Sequence, residues 1–315
     1  MGKVAFVISV LASLIFCMTI PILAMVMLVP SLKSHAPKSK NYRGVTVFCG
    51  LGIVWFIWLV ALILTERLLP VIGLGLPGWV EILIPIFPLM AGSCVLGLFD
   101  DWAGDGPSKG FRGHLKAMFH GRLTTGGLKF FGIGILSLVV AAGLFYDPDD
   151  LLYSISKVLV ATLVMALFAN LMNLFDLRPG RVSKVYVLSL TVVMLLLIFV
   201  HASIRPLSGW EVTALALACL GPVLATWRYD LGEVGMLGDV GANSMGVLLG
   251  YLLVLALPFW SMVAAAVILL VINLLSEQVS FSRIIESVPW LEKLDNIGRK
   301  NIGKNDRNNT ERKSS

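Results

Sequence analysis

The stretch from Tyr153 to Phe175, YSISKVLVATLVMALFANLMNLF, decides the fold. Its 23 residues carry one charge, Lys157, near the start. As a helix it is about 35 Å long, enough to cross a hydrocarbon core of about 30 Å. A span of this kind satisfies its backbone polar groups internally, which is what lipid demands.

Eight more runs read the same way, at about 4–30, 45–65, 81–99, 128–146, 185–201, 210–227, 242–257 and 259–275. Pro258 alone divides the last two. The composition agrees, with 57% hydrophobic and 14% charged residues. Soluble domains run near 45–50% and about 25%. An ordinary soluble fold is excluded, and so is disorder over most of the chain. Cys17, Cys49, Cys94 and Cys219 lie scattered in apolar stretches, which excludes a disulfide framework and a Cys/His metal motif. The predicted fold is all-α, a polytopic membrane helix bundle of about nine transmembrane helices. Residues 1–275 form the transmembrane domain. Residues 276–315 form a polar C-terminal segment, disordered from about 301. The first run follows Lys3 as a signal sequence would, but it is too long and lacks a small-residue cleavage site, so it reads as a retained helix.

Charge placement sets the orientation. If the loops alternate from outside, the odd side holds Lys3, Arg67, Lys157 and Arg205, and the even side holds the other 21 of 25 basic residues. The even side is therefore read as cytoplasmic, with the N-terminus outside and the C-terminus inside. Thirteen of the 19 acidic residues share that side. The net charge of +6 is thus a topology signal, and no nucleic-acid partner is expected.

Four groups of polar residues gather on the even side. Asp100 and Asp101 end the third run. Adjacent carboxylates repel and are tolerated when a cation or a proton intervenes, which suits a Mg²⁺ and phosphate site; a wet helix end is the alternative. Asn170, Asn173 and Asp176 recur every third residue and form one helical stripe. Such a stripe lines a polar cavity or bonds neighbouring helices. Asp239 and Asn243 lie in Gly235-Met236-Leu237-Gly238-Asp239-Val240-Gly241-Ala242-Asn243, where glycines let backbone N–H groups approach a phosphate, or where the polar residues cap the next helix. The basic loops carry Lys40 and Arg43, Arg112, and Arg178, placed to meet an anion or anionic lipid. Trp79, Trp210 and Trp260 fall near run ends, as an aromatic belt would.

The order of these motifs on one face resembles the polyprenyl-phosphate N-acetylhexosamine-1-phosphate transferase family (glycosyltransferase family 4), which includes phospho-N-acetylmuramoyl-pentapeptide transferase. The chain departs from the pattern at Pro179, where the family places an Asp, at Met236, where it places an aromatic, and in 276–300, which lack its His-rich motif. The resemblance implies transfer of a sugar 1-phosphate from a UDP-N-acetylhexosamine, or UDP-MurNAc-peptide, to polyprenyl phosphate with release of UMP. It implies a Mg²⁺-dependent enzyme of cell-wall or peptidoglycan biogenesis at the cytoplasmic face of the plasma membrane, and it allows a homodimer. By the same resemblance, Asp101 and Asp239 hold the metal and diphosphate, and Asp100 orients the lipid phosphate. Asn170, Asn173 and Asp176 hold the nucleotide, and Lys40, Arg43, Arg112 and Arg178 contact phosphates. The rival readings are an anionic-lipid transporter and a catalytically silent membrane scaffold.

Overall fold

The computed structural model describes residues 3–103, 120–121, 124–200 and 207–299. Among these, nine helical spans are long and apolar enough to cross a membrane. They are α1 (Lys3–His35), α2 (Ile53–Val71), α3 (Gly78–Leu83) running through a 3-10 turn into α4 (Phe87–Ala103), α5 (Thr125–Phe145), α6 (Leu151–Phe175), α7 (Arg181–Phe199), α8 (Gly209–Leu231), α9 (Gly238–Ala256) and α10 (Phe259–Ser276). Two short helices follow, α11 (Phe281–Ser287) and α12 (Pro289–Asn296). The fold is a polytopic all-α bundle, as the apolar runs require.

Two sequence expectations need correction. The second span begins at Ile53, not near 45. Thr46–Cys49 forms strand β2, antiparallel to β1 (Lys38–Lys40) and parallel to β3 (Gly235–Met236). The turn after it hangs on the same neighbour: the N–H groups of Leu51 and Gly52 donate to Met236 O and Leu237 O at 3.1 and 3.0 Å. Val47, Phe48 and Leu51 are apolar because they are buried beside β3 and α9, not because they face lipid. Trp79 is not a belt residue either. It is fully buried, whereas Trp210 and Trp260 are 42% and 78% exposed.

Helix α9 is the centre of the bundle. Within its most apolar window 89% of residues are buried, against 22% in α1, α5 and α10. It packs on α6, α4, α7 and α2. The outer helices turn Leu152, Phe199 and Trp260 outward, an apolar surface that only a lipid environment accommodates. Lipid supplies no hydrophobic drive between helices, so close backbone approach and polar contacts hold them together. A Cβ built on Gly97 of α4 would lie 2.7 Å from the Val240 backbone, so these helices touch where only glycine fits. Deeper in, the Trp58 indole donates to Ala218 O at 2.8 Å and the Tyr186 hydroxyl to Cys219 O at 3.1 Å. Each satisfies a polar group that would otherwise be buried unpaired.

The segment after α10 folds back onto the start of α7. Arg181 is 2% exposed and forks onto Asp295, Nε to Oδ1 at 2.9 Å and Nη2 to Oδ2 at 2.8 Å. Arg299 grips the same carboxylate at 2.7 and 2.9 Å. Phe281 stacks on Phe175 with centroids 5.2 Å apart. The segment expected to be disordered, from about 301, lies outside the described residues.

Candidate active site

The site is assembled where alternate helix ends meet. The C-terminal ends of α4, α6 and α8 and the N-terminal ends of α5, α7 and α9 come together. This is why motifs far apart in sequence share one face. Gly97 sets the first contact, because the backbone approach it allows brings Asp100 and Asp101 to the first turn of α9.

The two adjacent aspartates then do different work. Asp101 accepts hydrogen bonds from Asp239 N at 2.9 Å and from Val240 N at 3.4 Å. It caps α9, meeting backbone N–H groups that have no partner within the helix. Gly238 makes room for it: its φ is +70°, and a Cβ there would lie 2.5 Å from Asp101 Oδ2. Asp100 instead faces Lys129 of α5. The Lys129 ammonium donates to Asp100 Oδ2 at 2.7 Å and to Asp239 Oδ2 at 2.6 Å. One cation thus joins two carboxylates from helices separated by over a hundred residues. All three side chains are mostly buried, with 14%, 15% and 29% of Lys129, Asp100 and Asp239 exposed.

The family resemblance assigns the metal to Asp101 and Asp239. The geometry puts Asp100, rather than Asp101, opposite Asp239, because both Asp101 oxygens are turned to the helix end. No group of three or more His, Cys, Asp or Glu residues placed to hold a metal occurs among the described residues. Mg²⁺ requires fewer protein ligands, since it usually keeps water and substrate phosphates around one or two carboxylates. Asp100 Oδ2 and Asp239 Oδ2, already converged on one cation, fit that requirement.

The Asn stripe faces inward as predicted but divides. Asn170 Nδ2 donates to Asn273 Oδ1 of α10 at 2.6 Å. Asn173 Oδ1 is buried without a partner. Asp176 ends α6, near the Gly238 backbone N–H. Burial, with Asp230, Asp239 and Asp101 nearby, pushes the Asp176 pKa well above the ordinary carboxylate range, and the Gly238 contact only partly opposes this. Cys49, at the end of β2, is pushed up to about 11 by burial and by Asp101, Asp176 and Asp239. The site therefore carries an excess of negative potential.

The basic candidates are mostly engaged elsewhere. Arg43 pairs with Glu233, which also accepts from Asn41 Nδ2 at 2.9 Å. Arg178 pairs with Glu286 of α11 and lies over the Tyr42 ring, 5.0 Å from its centroid. Lys40 is exposed on β1. Arg112 lies outside the described residues. Where the resembled family would place an Asp, Pro179 gives its carbonyl to Arg299 Nε at 2.8 Å. Beside it Asp230 of α8, 3% exposed, accepts from Gly180 N at 2.9 Å.

Sequence reasoning gave no role to Lys129 or Asp230. Lys129 had a signal, a lysine just inside an apolar run, where an unpaired charge is costly. Asp230 had none, since its partner is a backbone group 50 residues away.

Beside Asp100 and Lys129 opens a cavity of about 420 Å³ between α5, α6, α9 and α10. Its wall is mainly apolar, with Phe130, Leu163, Leu270 and Leu274, and its polar members include Asn170, Asn243 and Asn273. Leu163 lies two turns below Asn170 on α6, so the cavity reaches about 10 Å into the bundle. No protein-family model matches the chain, and no curated protein matches it in sequence.

Proposed function

We propose that the chain transfers a sugar 1-phosphate from a UDP-N-acetylhexosamine, or from UDP-MurNAc-peptide, to polyprenyl phosphate and releases UMP. The observation that carries this reading is the Asp100–Lys129–Asp239 cluster at the wall of an apolar cavity. The resemblance of the motif order to the polyprenyl-phosphate sugar-1-phosphate transferases agrees with it. The reaction joins a lipid substrate to a soluble one, so it belongs at the membrane edge, proposed to be the cytoplasmic face of the plasma membrane. A lipid phosphate oxygen forms a bond to the phosphorus of the sugar 1-phosphate, and the bond from that phosphorus to the UMP oxygen breaks. One phosphoanhydride is made and one is lost, so no ATP site is needed.

Phosphoryl transfer depends mainly on positioning and charge neutralisation. In this reading Lys129 offsets negative charge beside the lipid phosphate. Asp100 orients that phosphate, which is largely ionised at pH 7 and needs no strong base. Mg²⁺, held by Asp100 and Asp239 when bound, would neutralise the diphosphate. Asp101 acts indirectly by fixing α9, and so Asp239, in place. Asn173 and Asp176 stand beside the nucleotide, and the cavity takes the prenyl chain.

The test is UMP release by the purified full-length protein with polyprenyl phosphate, Mg²⁺ and a panel of UDP-sugars. One donor should give UMP. Asp239→Asn should reduce the rate by about 100-fold or more, the scale of losing one transition-state contact. Asp101→Asn, which keeps one acceptor for the helix end, should lose less. No UMP from any donor would overturn the reading. Lipid movement without UMP would point to an anionic-lipid transporter, and no response to lipid or nucleotide to a scaffold.

A further inference from the structure

The segment after α10 carries a helix with three unlike sides. In α12 (Pro289–Asn296) successive residues turn by about 100°. Asp295 and Leu291, four residues apart, share the side turned to the bundle. Asp295 is buried on Arg181, and Leu291 is partly buried. Trp290 and Leu294 share the adjoining edge, and Ile297 follows just past the helix end. These three are 63%, 51% and 57% exposed. Glu292 and Asn296 occupy the remaining side, and both are exposed. Lys293, also exposed, lies between that polar side and the apolar edge.

Contacts with the bundle fix the height of α12. The Lys184 ammonium, in the first turn of α7, donates to Leu294 O at 3.2 Å and to Asp295 O at 2.6 Å. A Cβ on Gly298 would lie 3.0 Å from Leu231 Cδ1, at the end of α8. The helix therefore lies level with the ends of spans long enough to cross a bilayer, which is headgroup depth. Leu274 and Leu275 in the last turn of α10, and Val279 beyond it, are exposed at the same end. In water, the edge of α12 would leave three large apolar side chains hydrated together, which is unfavourable. Between bundle, bilayer and water, each of its sides meets a matching environment. Tryptophan suits headgroup depth, with an apolar ring and one polar N–H, and lysine can lay its stem on apolar surface and lift its charge out.

We propose that the Trp290–Leu294–Ile297 edge of α12 is seated in the boundary between phospholipid headgroups and acyl chains, which makes the C-terminal segment an in-plane membrane anchor. The bilayer is the occupant because the edge continues the exposed apolar surface of α10 at headgroup depth, and because Lys293 beside it is placed to reach lipid phosphates. The anchor also holds the rim of the candidate site. Arg299 Nε donates to Pro179 O at 2.8 Å and Glu286 pairs with Arg178, so the turn that follows Asp176 is tied to this segment.

The experiment places the full-length protein in phosphatidylcholine nanodiscs and reads the fluorescence of Trp290 as wild type minus Trp290→Phe. That component should lose emission to lipid brominated near the headgroup, lose less to lipid brominated near the chain ends, and lose little to acrylamide in the water. Its emission maximum should lie to the blue of tryptophan in water. Trp290→Tyr gives the same subtraction should the phenylalanine variant not fold. Strong quenching by acrylamide with no response to brominated lipid overturns the inference, because the edge then faces water. Protection from both quenchers also overturns it, because a second copy or another protein segment then covers the edge. Stronger quenching by the deep bromine than by the shallow one overturns the headgroup depth.

Discussion

Among the described residues, two buried ion clusters are of opposite design. In one, Asp295 sits between Arg181 and Arg299, and both carboxylate oxygens are met by guanidinium N–H groups. In the other, Lys129 sits between Asp100 and Asp239. The first surrounds an anion with cations and closes against the bundle, with Arg181 and Asp295 side chains 2% and 7% exposed. The second surrounds a cation with anions and opens on a cavity. The first has no geometry left for a ligand. The second keeps surplus negative charge and accessible carboxylates, the condition under which a further cation and its bound phosphates enter favourably. Ion pairing by itself does not mark a site; the sign of the surplus and the opening do.

Removing the central or buried cation from each cluster should separate them most sharply. Lys129→Met leaves two buried carboxylates without their cation and should destabilise the protein by about 3–5 kcal/mol, and Arg181→Met, with Arg299 still on Asp295, should cost less. Mg²⁺ should restore much of the thermal stability of Lys129→Met, because it can stand between the carboxylates in place of the ammonium. It should not restore Arg181→Met, where no pair of anions is exposed. Thermal unfolding in detergent with and without Mg²⁺ measures this, and equal rescue of both variants would erase the distinction.

A smaller effect is expected from the packing beneath the second cluster. Gly97→Val puts side-chain atoms where a Cβ alone would be 2.7 Å from Val240 backbone. Overpacking of this kind costs about 1–3 kcal/mol, and the displaced α4 should slow UMP release further than the stability loss explains. The matching change Ser282→Ala beside Arg181 removes one hydrogen bond of 2.7 Å and should leave activity unaltered.

The smallest effect is a pair of opposing pH slopes. Burial alone would raise Asp295, but hydrogen bonds from Arg181 and Arg299 outweigh it and hold the carboxyl below its usual range. Its contribution to stability is complete above about pH 4 and is lost as pH falls through that lowered pKa. Asp176 is raised by burial and by neighbouring carboxylates, so the folded state binds its proton more tightly than the unfolded chain. Stability from that group falls as pH rises from about 4 through the raised value. Thermal midpoints across pH should show Asp295→Asn with a shallower acid slope and Asp176→Asn with a shallower decline toward neutrality. A variant that alters the other slope would contradict the division.

Much of this was readable from the chain. Nine spans follow from apolar run length against bilayer thickness, a quantity each segment carries alone. The inward stripe of Asn170, Asn173 and Asp176 follows from helical periodicity in the same way. Where local reading went astray, a distant neighbour was the cause. Residues 45–52 looked like a span start because Val47, Phe48 and Leu51 are apolar, yet these side chains are buried beside β3 and α9. Trp79 looked interfacial because it lies near a helix end, yet it is covered by the bundle.

The sequence by itself determined that this protein lives in a membrane and that its carboxylates and amides gather at one set of helix ends. Only the tertiary structure decided which of two adjacent aspartates caps a helix and which meets Lys129. The reason is physical. Burial in lipid is a sum over local residues, whereas a hydrogen-bond partner is set by the rotation and close approach of helices far apart in the chain, here fixed by Gly97 against Val240 and by Gly238 beneath Asp101.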